Sequence, residues 1–198
     1  MRGIILYQSK YGATKKYAAW LSEATGFPIQ GINAAKASDL RQYDLLIVGG
    51  GIYASGIAGL SYLKKNPDIW KGKNVLVFCV GASPYEETTF KEIVRHNMKG
   101  ELSSFPCFYC RGAWNIAQMN FLDRTLCKLL RNAVRKKAPE DYAPWEAALM
   151  EAGDENRDWT DKKYLEPILA KVNALLSKTI CGKAGSEMYK AVVIEYSP

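Results

Sequence analysis

The sequence predicts a doubly wound α/β fold, with a five-stranded parallel sheet, helices on both faces and an α-helical insertion before the last helix. Three observations carry that expectation. Short apolar runs alternate with helical stretches along most of the chain. Two of the runs, Asp44 to Val48 and Asn74 to Val80, are continuously apolar after their first residue, as strands covered on both faces require. Strands that alternate with helices build βαβ units, and such units pair in parallel with right-handed crossovers.

In chain order, Gly3 to Tyr7 is the first strand. Ala13 to Thr25 is a helix, because Tyr17, Ala18, Leu21 and Ala24 fall close to one face at helical spacing. Pro28 to Asn33 is a second, weaker strand, and Asp44 to Val48 the third. A short helix is expected from Ile57 to Asn66, the fourth strand from Asn74 to Val80, and a helix from Glu86 to Met98. Pro106 to Gly112 is the fifth strand. The last helix, Leu165 to Lys178, carries the stripe Leu165, Ile168, Leu169, Val172, Leu175 and Leu176. The insertion runs from about 114 to 159, and a C-terminal extension over 179–198 ends in the strand-like Ala191-Val192-Val193-Ile194-Glu195-Tyr196. One domain over 1–178 plus that extension is the expected organisation.

A chain of 198 residues that is 48% hydrophobic buries one sizeable core. The apolar run at the N-terminus is too short for a signal peptide, and no stretch approaches the roughly 20 apolar residues that span a bilayer. A cytoplasmic protein is expected. The net charge of +7 is unevenly spread. Arg111 to Lys137 holds seven basic residues and one acid, Asp123, whereas Pro139 to Asp161 holds eight acids and one base, Arg157. A bipolar surface follows, not a uniformly basic one, and no nucleic-acid partner is expected. Cys107 and Cys110 form a C-x-x-C pair with no second pair, and the only histidine, His96, is distant. Buried thiols in a strand are favoured there over a zinc or redox site.

Open parallel sheets bind ligands beyond the carboxyl ends of their strands. The loop after the first strand is Gln8-Ser9-Lys10-Tyr11-Gly12-Ala13-Thr14. It opens a helix whose first backbone N–H groups and positive dipole end favour a phosphate. Ser9 and Thr14 add hydroxyls, and Gly12 lets the backbone approach the anion. No G-K-[ST] follows, so this is not a nucleoside-triphosphate loop. Gly49 to Gly56 superficially resembles a dinucleotide fingerprint, but it follows the third strand and no acid ends the next one.

The stretch from Ile5 to Thr14, continuing to Ala18 and Leu21, resembles the FMN-phosphate signature of flavodoxins at every constrained position. The resemblance implies that Ser9, Lys10, Tyr11, Gly12, Ala13 and Thr14 hold an FMN phosphate. It also implies that the loops after the third and fourth strands border the flavin ring. Gly50, Gly51, Ile52 and Tyr53 form one side, with the glycines admitting backbone amides and Tyr53 able to stack. Gly81, Ala82, Ser83 and Tyr85 form the other, with backbone N–H groups toward the ring's N1–O2 edge. No catalytic side chain and no metal are expected, because the flavin carries the chemistry.

Within the insertion, Met119, Leu122, Leu126, Leu129, Leu130 and Ala133 share one helical face, and Arg124, Lys128, Arg131 and Arg135 fall largely on the other. This basic amphipathic helix over 119–137 reads either as a packed helix with a solvated charged face or as a surface for anionic lipid or an acidic partner. The layout is similar to the menaquinone-dependent protoporphyrinogen oxidase type of flavodoxin-domain protein. That family tends to have a Ser-Ile-Arg-Tyr type sequence where this chain has Gly-Gly-Gly-Ile-Tyr. Three functions follow: an FMN electron carrier or small oxidoreductase working with a redox partner protein; a porphyrinogen-oxidising enzyme using a quinone at the inner face of the membrane; or a non-redox module that has lost FMN.

Overall fold

The computed structural model describes residues 1–153 and 155–179. The elements follow in chain order. β1 (Gly3–Gln8) leads into α1 (Ala13–Thr25), β2 (Ile29–Gly31) and the single turn α2 (Ala37–Leu40). β3 (Leu45–Tyr53) folds back as β4 (Gly56–Ile57), followed by α3 (Leu60–Lys65), β5 (Asn74–Gly81), α4 (Glu87–Asn97) and β6 (Cys107–Arg111). The insertion holds β7 (Ala113–Trp114), α5 (Phe121–Val134), α6 (Pro144–Ala152) and β8 (Arg157–Asp158). The last helix, α7, spans 166–179.

Five strands form one parallel sheet in the order β2-β1-β3-β5-β6. Strand alternation sends successive side chains to opposite faces. Ile4, Leu6, Leu46, Val48, Val75 and Val77 therefore enter one buried cluster with α3 residues, while α4 packs against its margin. Ile5, Leu45, Ile47, Leu76, Phe78 and Val80 enter the other, beneath α1 and α7. Covering both faces explains why the central strands read as continuous apolar runs.

Two sequence expectations shift. The predicted second strand keeps only Ile29–Gly31, and Ile32–Ala34 turns as a 3-10 helix. Gly49, Gly50 and Gly51 are not a loop: they continue β3, pairing with β1 and β5. The chain then reverses in a two-residue hairpin, so the helix expected from Ile57 starts only at Leu60. Glycine is required here for close approach: a Cβ on Gly50 would strike the carbonyl of Ala58, and one on Gly49 the ring of Phe78.

The C-x-x-C pair also resolves. Cys107 stands opposite Val77 and Cys110 opposite Val80, so an offset of three places the thiols on opposite faces of β6. Cys107 joins the cluster holding Cys79, and Cys110 joins the other. Burial pushes the Cys110 thiol well above its ordinary range.

The insertion is oriented against its apolar pattern. On α5, Phe121, Leu122 and Leu129 are 80%, 77% and 62% exposed, and Leu126 and Leu130 are exposed beside them. The inward side carries arginines: Arg131 is buried, and the Arg124 guanidinium donates to the carbonyls of Ile116 (3.1 Å) and Met119 (3.2 Å). The packed-helix reading is thus corrected for the leucine stripe, which is exposed, and for Arg131, which is buried, whereas Lys128 and Arg135 are solvated as expected. Among the described residues no helix is long and apolar enough to cross a membrane. The strand-like segment near the C-terminus lies outside the described residues.

Candidate functional site

The site is built from the carboxyl ends of β1, β3 and β5. The first loop keeps its turn with one internal bond, from the Gly12 N–H to the Ser9 hydroxyl (3.0 Å). Gly12 takes φ +95°, a conformation that favours glycine, and the space where its Cβ would point is empty. No side chain caps α1, so the helix presents its first N–H groups outward. Thr14, in that first turn, is almost fully buried. Unpaired donors at a helix N-terminus beside an open glycine fit a phosphate.

Contacts that the sequence did not reveal tie this loop to the rest of the site. The Lys10 N–H donates to the Tyr53 hydroxyl (3.0 Å). The Tyr11 and Tyr53 rings meet edge to face with centroids 6.2 Å apart, and the Lys10 ammonium lies 5.5 Å and 5.7 Å from the two. Burial raises the Tyr53 phenol above its ordinary range, against the bond from Lys10 and the lysine's charge. Tyr53 therefore keeps its proton as a donor. Asp123, the single acid of the basic block, accepts from the Tyr11 hydroxyl and pairs with the Lys10 ammonium. The first turn of α5 is thereby clamped to the phosphate loop.

At the end of β3, Gly51 faces the Tyr53 hydroxyl, and Ile52 and Tyr53 pair with Ile57 and Gly56. The turn between them uses Ala54 (φ 46°) and Ser55 (φ 64°), two non-glycine residues in the left-handed region. Such backbone costs on the order of 1 kcal/mol per residue and needs support. Asn97, buried at the end of α4, supplies it. Its amide donates to the Ser55 carbonyl (2.7 Å) and accepts from the Ile57 N–H (2.9 Å). Nothing in the local pattern around His96 and Asn97 announces this role.

The third loop, Gly81 to Tyr85, is pinned from β6. The Tyr109 hydroxyl donates to the Ser83 carbonyl (2.5 Å) and Arg111 to the Ala82 carbonyl (3.2 Å). Tyr85 is 54% exposed and lies 5.7 Å from Phe90 and 5.9 Å from Tyr109, ring to ring, whereas Tyr53 is 36% exposed. Glu86 closes the loop by capping α4, accepting from Thr88 and Thr89 N–H at 2.8 Å and 2.7 Å. The structure thus joins the first two loops directly, through Lys10 and Tyr53. The third lies alongside on the neighbouring strand, where Gly51 pairs with Val80.

A cleft of about 340 Å³ opens on the other side of the first loop. Tyr11, Gly12, Ala13 and Lys16 form one wall, and the antiparallel β7–β8 pair with its flanking residues the other. None of the residues expected at the flavin ring lines it. Lys16 and Asp158 bridge the walls at 2.8 Å.

The flavodoxin domain model matches residues 4–141. A search of curated proteins found no match. Among solved structures, an archaeal flavodoxin is 17% identical, with 65% of this chain and 92% of that one covered and a TM-score of 0.37. A flavoprotein in complex with FMN from Lactobacillus acidophilus is 15% identical, with 56% and 91% covered and a TM-score of 0.40. A WrbA-like flavodoxin from Agrobacterium tumefaciens is 16% identical, with 62% and 87% covered and a TM-score of 0.39. With the domain model spanning more than half of its length, the chain belongs to the flavodoxin-domain family.

Proposed function

We propose that this protein binds FMN noncovalently and moves electrons through it. Family membership supports FMN as the cofactor, and the cradle at β1 is where its phosphate would sit. The observation that carries the reading is the uncapped N-terminus of α1 behind the Ser9–Gly12 turn. Backbone N–H groups of Tyr11, Ala13 and Thr14 and the Ser9 and Thr14 hydroxyls would hold the phosphate, with the Gly12 N–H kept on Ser9. Gly51 to Tyr53 and Gly81 to Tyr85 would border the ring, with Tyr53 donating its retained proton and Tyr85 offering an exposed aromatic face. When bound, FMN supplies one- and two-electron chemistry, and the protein's part is to bind, orient and tune it. Fluorescence titrations with FMN and riboflavin test the cradle. FMN binding at least 100-fold tighter than riboflavin, with the advantage shrinking in Thr14→Val, is the expected result; equal affinities would remove the phosphate site.

A second reading is favoured by the exposed stripe of α5. Its leucines face away from the body, and Lys128, Arg135 and Lys136 flank them, all exposed. Apolar residues rimmed by cations suit the interface of an anionic bilayer. On this reading the protein works at a membrane surface, taking electrons from a porphyrinogen and passing them to a quinone. Sedimentation with phosphatidylglycerol vesicles but not phosphatidylcholine vesicles, abolished by Leu122→Glu/Leu129→Glu, is expected. Porphyrinogen-dependent bleaching of bound FMN would add the substrate; bleaching by a carrier protein alone would leave the simpler electron-transfer reading.

A further inference from the structure

We propose that the cleft between the first loop and the β7–β8 strand pair binds an adenylate group, the adenosine half of FAD, so that the site admits a flavin dinucleotide as well as FMN. The proposal rests on the flavin reading above. The cleft begins at Tyr11, Gly12 and Ala13, the residues that cradle the phosphate, and lies apart from every residue assigned to the ring. A dinucleotide extends FMN through that phosphate, so the added half leaves the cradle where the cleft starts. Its volume of about 340 Å³ falls at the small end of ligand pockets and suits one nucleotide unit.

The chemistry of the walls agrees. Asn115 uses its carbonyl oxygen to accept from the Gln118 N–H (3.1 Å), and Asn156 uses its own to accept from the Ala117 N–H (3.3 Å). Each amide therefore keeps its NH₂ group as a donor. With the Gln118 side chain, the wall presents three amides, the groups that pair with the edge of adenine and with ribose hydroxyls. Trp114 adds aromatic surface for a base, and Lys16, held by Asp158, sets a cation near the second phosphate.

The test titrates the full chain with FMN, FAD and AMP, and repeats it with Gln118→Trp, an exposed position that fills the cleft and lies outside the FMN cradle. FAD binding at least tenfold tighter than FMN, with the difference erased in Gln118→Trp and FMN affinity unchanged, supports the proposal. AMP that binds the wild type but not the variant, with no preference for FAD, assigns the cleft to a separate adenine nucleotide and overturns FAD as the source. FAD no tighter than FMN together with no AMP binding overturns the site altogether. If neither flavin binds, the flavin reading fails independently, and AMP alone decides the cleft.

Discussion

The parallel sheet and the insertion solve opposite problems with similar residues. In the sheet, apolar side chains from β1, β3 and β5 are sealed beneath helices on both faces. In α5 Phe121, Leu122, Leu126, Leu129 and Leu130 point outward, while Arg124 and Arg131 turn inward. Hydrophobic burial alone would turn α5 over, since each fully buried leucine contributes roughly 1.5–3 kcal/mol. Polar anchors hold it instead. Asp123 is tied to Lys10 and Tyr11, Arg124 to the carbonyls of the preceding turn, and Lys137 to the buried Glu146 at 2.7 Å. A segment whose orientation is fixed by specific polar contacts leaves its apolar face available for a partner.

The largest expected effect breaks the comparison at its root. Ile47→Ala, in the fully buried centre of β3, should cost about 3 kcal/mol in chemical denaturation, whereas Leu122→Ala on α5 should stay within about 0.5 kcal/mol. Equal losses would mean that α5 is covered. Next in size, Asn97→Ala removes both bonds that hold the strained Ala54–Ser55 turn and should cost about 1–3 kcal/mol. Ser55→Gly should partly restore stability in that background, because glycine adopts the left-handed turn freely.

These sites also show what the sequence makes legible. α1 falls at its predicted residues, Ala13–Thr25, because its stripe Tyr17, Ala18 and Leu21 is buried by the sheet as its spacing dictates. The phosphate loop is legible for the same local reason: strand, glycine turn and helix start lie within a dozen residues. The hairpin after β3 is not, since Ala54 and Ser55 carry no turn glycine and depend on Asn97, some forty residues away. The Asp123 clamp spans 112 residues to Tyr11, and no periodicity encodes such a contact.

Smaller effects sharpen the picture. Asp123→Asn removes the ion pair between α5 and the loop; its partners are partly exposed, so a loss below about 1 kcal/mol is expected. Proteolysis within α5 should nevertheless quicken, while the sheet stays protected from hydrogen exchange. The least effect belongs to Glu86. Hydrogen bonds from the Thr89 side chain, then from the Thr89 and Thr88 backbone, hold its carboxyl at about 2 instead of the ordinary 4.5. A depressed carboxyl stabilises the fold above its ordinary value and loses that contribution as pH falls toward 2. Glu86→Gln should therefore lower Tm slightly at pH 7 and leave it unchanged near pH 2.

The visible absorption spectrum of the full chain, mixed with FMN and passed through gel filtration, tests the central claim most directly. The account predicts flavin bands that elute with the protein at one FMN per chain. A colourless protein peak, with all FMN in the small-molecule fraction, would contradict it.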